Sequence, residues 1–197
     1  MISTELTGRP EDVARILAEA EPYTLHRKRP ALAVLVGLPA SGKSRIAEEL
    51  RARTGAVVLE SDALRRLLFS RRTYDAEESR RLFAAIHAAI EKLLADGVPV
   101  VLDATNLAES ERAPLYEMTD RRGVRLVLVQ VTAPEPVLQQ RLAQREATGV
   151  SRSEADLRVF ERMRSRVEAI QRPHHVVDTS QGIEPALAAI AKEMLGS

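Results

Sequence analysis

The sequence predicts an α/β fold: a doubly wound, five-stranded parallel sheet with helices on both faces. Three observations lead there. The continuous apolar runs Ala31–Val36, Val98–Leu102 and Leu126–Val131 read as strands buried on both faces. Longer segments with apolar residues at helical spacing separate them. Strands joined by helical crossovers assemble in parallel. The 197 residues, 45% hydrophobic and 29% charged, suffice for one domain with a core of its own.

Taken in order, residues 1–30 stand apart. Val13, Ile16, Leu17 and Ala20 predict a short amphipathic helix that stops near Pro22, followed by a basic linker from His26 to Pro30. The main domain is expected over 31–197. After the first strand, a helix runs to about Thr54 and Gly55 ends it. Ala56–Leu59 is a second strand, with a short helix after Asp62. A long helix begins near Asp75, whose carboxylate forms a capping box with Glu78. Leu82, Phe83, Ile86, Ile90, Leu93 and Leu94 give that helix one apolar face, and Gly97 closes it. A helix over 109–122 follows the third strand. After the fourth, Thr132 and Glu135 have capping-box spacing for a helix reaching about Arg145. Glu146–Arg152 is a polar break. Ser153 and Asp156 cap a helix carrying Leu157, Phe160, Met163, Val167 and Ile170 on one face. His175–Val177 is a weak fifth strand, and a last helix ends near Leu195.

Composition excludes several chemistries. Without cysteine there is no disulfide framework, thiolate metal site or cysteine nucleophile. Four histidines leave little for a His-rich metal centre. No apolar run approaches the roughly 18 residues of a membrane span, and the N-terminus lacks a signal-peptide core, so no membrane partner and a cytoplasmic location are expected. Net charge is +1, too small for a global field that gathers polyanions. The 29 basic residues comprise 25 Arg and 4 Lys. Arginine holds phosphate bidentately, although a GC-rich genome is the plainer cause. Aromatics are 3% with no Trp, which disfavours base-stacking platforms.

One motif dominates. Gly37, Leu38, Pro39, Ala40, Ser41, Gly42, Lys43 and Ser44 fit G-x-x-x-x-G-K-[ST], between a buried strand and a helix. Gly42 lets backbone wrap closely around phosphate oxygens. Successive N–H groups and the helix N-terminus attract the anion. Lys43 reaches the β and γ phosphates and Ser44 offers a hydroxyl to Mg²⁺. ATP and Mg²⁺ are the expected cofactors. Ala40 stands where such loops often carry glycine and is tolerated if its φ is negative.

Three further groups fall beyond strand ends, where ligands of open α/β sheets bind. Asp62 and Arg65, three apart on a helical turn, suit a carboxylate that takes a proton from an attacking hydroxyl and an arginine that holds the acceptor's own phosphate. The plainer alternative is a helix cap with a surface partner. Asp103 ends strand three, where a carboxylate can join Ser44 at magnesium, and no Glu follows it to orient a hydrolytic water. Arg141 and Arg145, four apart, precede the polar break and suit a lid over about 141–153 that closes on phosphates; solvated helix arginines are the plainer alternative. Arg65, Arg66, Arg71 and Arg72 lie in a stretch without acidic residues, Ala63–Tyr74. His87 is expected on the solvated side of its helix.

GLPASGKS, ESDALRR, VVLDATNLAESER and RLAQRE together resemble the P-loop kinases of the polynucleotide 5′-hydroxyl kinase and zeta-toxin-like group, an AAA-type ATP-binding family. The resemblance spans roughly 31–180. It implies a P-loop NTPase fold of the nucleoside-kinase-like kind and phosphoryl transfer from ATP. It further implies Asp62 as general base, Arg65 on the acceptor phosphate, Arg141 and Arg145 as lid arginines, and Asp103 as the strand-three aspartate. The favoured acceptor is a 5′-OH RNA or DNA end. A small-molecule kinase (sugar, nucleotide-sugar or antibiotic) stays open, as does an ATP-binding regulatory module without transfer activity.

Overall fold

The computed structural model describes residues 8–20, 23, 27–148 and 157–196; side chains of 145–159 fall outside that description. The chain runs α1 (Pro10–Ala20), β1 (Ala31–Val36), α2 (Lys43–Thr54), β2 (Val57–Glu60), α3 (Ser61–Leu68), α4 (Ala76–Ala95), β3 (Val100–Asp103), α5 (Glu109–Arg122), β4 (Arg125–Thr132), α6 (Glu135–Thr148), α7 (Leu157–Arg164), β5 (His175–Asp178) and α8 (Glu184–Leu195). The five strands pair in parallel in the order β2-β3-β1-β4-β5. This is the five-stranded, helix-flanked sheet that the sequence predicts.

Strand β1 lies at the centre because all six of its residues are apolar and buried. Its alternate residues feed two cores. Leu32, Val34 and Val36 join Leu59, Leu102 and Leu128 beneath α1, α3, α4 and α5. Ala31, Ala33 and Leu35 join Val101, Val127 and Val129 beneath α2 and α8. A third, smaller cluster sets Leu138, Leu142 and Phe160 of α6 and α7 against Ala40, with Leu38 packed alongside. Parallel pairing puts every strand's carboxyl end on one edge, so Glu60 of β2 is level with Asp103 of β3 and Thr132 of β4 with Asp178 of β5.

Local chemistry accounts for the element ends. Gly55 and Gly123 close α2 and α5 in left-handed geometry. Asp75 caps α4 by accepting from Glu78 N at 2.8 Å. The reciprocal half of the capping box does not form, because the Glu78 carboxylate accepts from Thr73 N at 2.6 Å and pairs with Arg65 instead.

Four expectations give way to tertiary contacts. The helix expected to carry Val167 and Ile170 ends at Arg164. Beyond it, Glu168 N donates to Leu107 O, and the Glu168 and Ala169 carbonyls accept from Arg112, which pulls the chain out of helical register. The proposed caps of that helix, Ser153 and Asp156, lie outside the described residues. Thr132 belongs to β4 rather than capping α6; its carbonyl accepts from Thr179 N, and Pro134 O receives the first helical bonds. His87 is half-buried rather than solvated, with its Nε2 enclosed, and that burial pushes its imidazole down to about 4. Finally, α1 is no detached appendage. Val13 and Ile16 sit in the larger core, and the buried Asp12 carboxylate takes Arg81 of α4 bidentately at 2.7 and 2.8 Å.

That docking sets a measurable expectation. Ile16→Ala should lower stability by about 2–5 kcal/mol, the usual cost of hollowing a packed aliphatic site. Urea unfolding of the whole chain checks it; a helix held only loosely would leave the midpoint unchanged.

Candidate functional site

The loop 37–42 leaves β1 at the centre of the carboxyl edge. Gly37 N donates to Thr105 O at 3.0 Å. A Cβ on Gly37 would lie 2.4 Å from Val131 O, so only glycine lets the chain pass β4 here. Ser41 N closes a turn onto Leu38 O at 3.2 Å. Gly42 precedes α2 with φ 97°, a conformation glycine adopts without steric cost. The Lys43 ammonium arches back and donates to Leu38 O at 2.9 Å. Ser44 lies exposed in the first turn of the helix. The first N–H groups of a helix have no acceptor within the helix itself, and with the Lys43 ammonium beside them this end of α2 suits an anion.

Ala40 corrects the sequence reading. Its φ is +63°, not negative, and it is 4% exposed. A left-handed alanine costs about 1–2 kcal/mol. Glycine would remove that cost while losing about 0.5–1 kcal/mol to backbone entropy. The loop therefore holds strain that surrounding contacts must offset.

Asp62 occupies the first turn of α3, half-buried and within electrostatic reach of Lys43. Burial raises its affinity for a proton; Arg65, Lys43 and Arg66 pull the other way without cancelling it, and Asp103 adds to the rise. The fold thus gathers Lys43, Asp62 and Asp103 from three strand ends. Asp103 itself is buried at the end of β3. Arg65 is placed differently from the sequence expectation. It is 7% exposed, ion-paired with the buried Glu78, hydrogen-bonded to Ser79 Oγ at 3.3 Å and stacked 4.9 Å from the Tyr74 ring. Burial pushes Glu78 up, but Thr73 N and Arg65 outweigh it and hold the carboxyl below its usual range. Arg65 thereby braces the α3–α4 connection from inside, while Arg71 and Arg72 lie exposed on that connection.

The loop after β3 depends on residues that sequence reasoning missed. Asn106 has φ 47° and donates from Nδ2 to Leu35 O of β1 at 2.8 Å. Arg112 is 0% exposed. Its guanidinium donates to Asn106 O at 2.9 Å, Leu107 O at 2.7 Å, Glu109 Oε2 at 2.9 Å, and the Glu168 and Ala169 carbonyls at 3.2 and 3.1 Å. One signal was available: position 112 shares the inward face of α5 with Leu115, Tyr116 and Thr119, where an arginine must be satisfied internally.

Arg141, expected to reach toward phosphate, donates here to Thr179 Oγ1 at 2.8 Å, Thr179 O at 3.1 Å and Ala40 O at 3.3 Å. Arg145 lies in α6, but its side chain and residues 149–153 of the expected lid fall outside the described residues. Thr179, unmarked in the sequence, sits at the end of β5 against Gly42.

A family model described as an AAA domain, AAA_33, matches residues 32–170. The chain belongs to this family. It is also 35% identical over 108 residues to the protein KTI12 homolog of Bos taurus, covering 52% of this chain and 30% of that protein. The chain thus spans less than a third of that relative. Among solved structures, Kti12 of Chaetomium thermophilum in complex with ADP-AlF3 superposes with a TM-score of 0.66 at 20% identity, covering 84% of this chain and 97% of that one. The APS kinase CysC of Mycobacterium tuberculosis, in complex with AMPPNP and APS, does so at 0.63 and 20% identity, covering 86% and 99%. At these identities the likeness is one of fold: a P-loop kinase-like nucleotide-binding fold. No helix among the described residues is long and apolar enough to cross a membrane.

The environment of Asp62 has a stability consequence. A carboxyl whose folded pKa is raised contributes most below its unfolded pKa, and that contribution is lost as pH rises through the folded value. Asp62→Asn mimics the protonated form. The variant should therefore melt above wild type at pH 7–8, and the gap should shrink toward pH 4. Thermal melts across that range check the sign.

Proposed function

We propose that this AAA_33 domain is an ATP-dependent phosphotransferase that moves the γ-phosphoryl group of ATP to a hydroxyl acceptor. One observation carries the reading. Asp62, biased toward holding a proton, stands at the carboxyl edge within electrostatic reach of Lys43 and Asp103. A site that only holds nucleotide has no use for a proton acceptor there.

In this reading the loop amides and Lys43 hold the β and γ phosphates. The Asp62 carboxylate accepts the acceptor's hydroxyl proton as its oxygen bonds to the γ-phosphorus and the bond to the β–γ bridging oxygen breaks, releasing ADP. Ser44 and Asp103 would hold Mg²⁺, which supplies charge neutralisation at those phosphates. One hydroxyl and one carboxylate, with no cluster of three His, Cys, Asp or Glu among the described residues, suit a cation that keeps water and phosphate oxygens as its other ligands. Arg145 is proposed to close on the phosphates from α6.

The favoured acceptor is a polynucleotide 5′-OH. Support comes from the Arg71–Arg72 pair, exposed on the connection that follows the helix of Asp62, in a stretch of sequence without acidic residues. With Arg65 turned inward to Glu78, this pair takes over the contact to acceptor phosphate. A second reading is a nucleotide-binding regulatory module whose output is not a phosphorylated acceptor; the likeness to Kti12 of Chaetomium thermophilum, solved with ADP-AlF3, supports the nucleotide-binding half of it.

Labelled ATP offered to 5′-OH RNA, 5′-OH DNA and a panel of small hydroxyl compounds decides among these. Label should appear on the 5′ end. Label on a small compound alone would assign a metabolite kinase, and absence of label from every acceptor would favour the regulatory module. Lys43→Ala should abolish transfer while the fold survives, since its ammonium packs no core. Asp62→Asn should slow transfer by about 10²–10⁴ with nucleotide binding retained. With a polynucleotide acceptor, log KM should rise with log salt, and replacing Arg71 and Arg72 by Gln should flatten the slope by about 0.7–0.9 for each phosphate no longer neutralised. A KM insensitive to salt would exclude the polyanion.

A further inference from the structure

Three consecutive loop residues, Ala40, Ser41 and Gly42, rest on one pair of side chains from distant elements. The Thr179 hydroxyl lies 2.7 Å from Ser41 O and 3.2 Å from Thr132 O. It has a single proton, and the shorter contact directs it to Ser41. The same oxygen accepts from Arg141 Nη1 at 2.8 Å. That guanidinium also donates to Ala40 O at 3.3 Å and to Thr179 O at 3.1 Å. Thr179 Cγ2 would meet a Cβ on Gly42 at 3.0 Å, so the methyl lies flush against the loop's last residue. Thr179 is itself anchored, its N–H donating to Thr132 O at 2.9 Å. The pair thus carries the position of the β4 and β5 ends into the loop.

This arrangement explains how a left-handed alanine persists at residue 40. Its carbonyl is held by Arg141 and that of its neighbour by Thr179, so the peptide planes on the C-terminal side of the strained residue are tied down. We propose that Thr179 and Arg141 form a clamp that keeps the strained loop in its phosphate-receiving shape, making both of them positioning residues for the donor nucleotide. The inference rests on the nucleotide reading of the loop. It differs from a lid role for Arg141, which would have the guanidinium touch phosphate itself.

The test uses AMPPNP with excess Mg²⁺, its Kd read by calorimetry on the full chain. Thr179→Val keeps the shape and removes the hydroxyl; Kd should rise about tenfold, the effect of losing one to two net hydrogen bonds. Thr179→Ser keeps the hydroxyl and should bind within about threefold of wild type. Arg141→Met should resemble Thr179→Val, and the double variant should bind about as well as either single one, because both break the same clamp. Ala40→Gly should restore binding in the Thr179→Val background, since the strain it relieves outweighs the entropy it adds. A purely structural role for Thr179 would lower thermal stability and show no such rescue.

Wild-type affinity in Thr179→Val, losses that add in the double variant, or failure of Ala40→Gly to rescue would each overturn the clamp. Lys43→Ala separates the two levels. Should it lose AMPPNP while Thr179→Val keeps it, the clamp alone fails; should both keep it, the nucleotide reading of the loop fails.

Discussion

Everything chemical in this chain depends on one constraint: a central strand buried on both faces. Strand β1 has no polar side chain and no solvent-facing edge, with β3 on one side and β4 on the other. Such a strand can present function only where it stops. Because all five strands are parallel, the others stop on the same edge, and the loop after Val36 meets Thr179 there, with Asp62 and Asp103 at the same edge, without any of them being near it in sequence. Gly37 marks how tight that meeting is, since any side chain there would run into Val131 O.

Arginine serves two purposes in this fold. Arg71 and Arg72 lie in the open. Arg65 and Arg112 are internal ties: one bridges α3 to α4 through Glu78, the other gathers carbonyls from the loop after β3 and from the segment beyond α7. A guanidinium suits this role because its planar fork serves several acceptors at once. Such ties are hard to replace, because leaving either member of a buried pair alone costs about 3–5 kcal/mol. An arginine-rich composition is thus partly architectural.

The site itself is held against local preference. Asp62 bears a desolvation cost, Ala40 sits in left-handed geometry, and Asn106 does the same beside Asp103. Strain of this kind survives only where neighbours over-determine it. Here those neighbours are identifiable: Thr179 and Arg141 around the loop, and Leu35 O and Arg112 around Asn106.

Much was legible in the sequence because it is written in periodicity and local chemistry. The uninterrupted apolar runs specify strands covered on both sides, the 3.6-residue spacing specifies the helices over them, and G-x-x-x-x-G-K-S specifies a turn only that backbone can make. These signals act over a few residues, and α2, α4, α5 and α8 lie where they indicate. What depended on tertiary structure involves partners far apart in the chain. Residues 167–170 leave the helix because Leu107 and Arg112 offer them better hydrogen bonds. Helix α1 joins the core because Asp12 meets Arg81, 69 positions away. Arg65 turns inward because Glu78, at position i+13, is buried beside it. Thr179 reaches Ser41 across 138 residues. No window on the sequence spans such pairs; the sheet decides them by fixing which strand ends are neighbours.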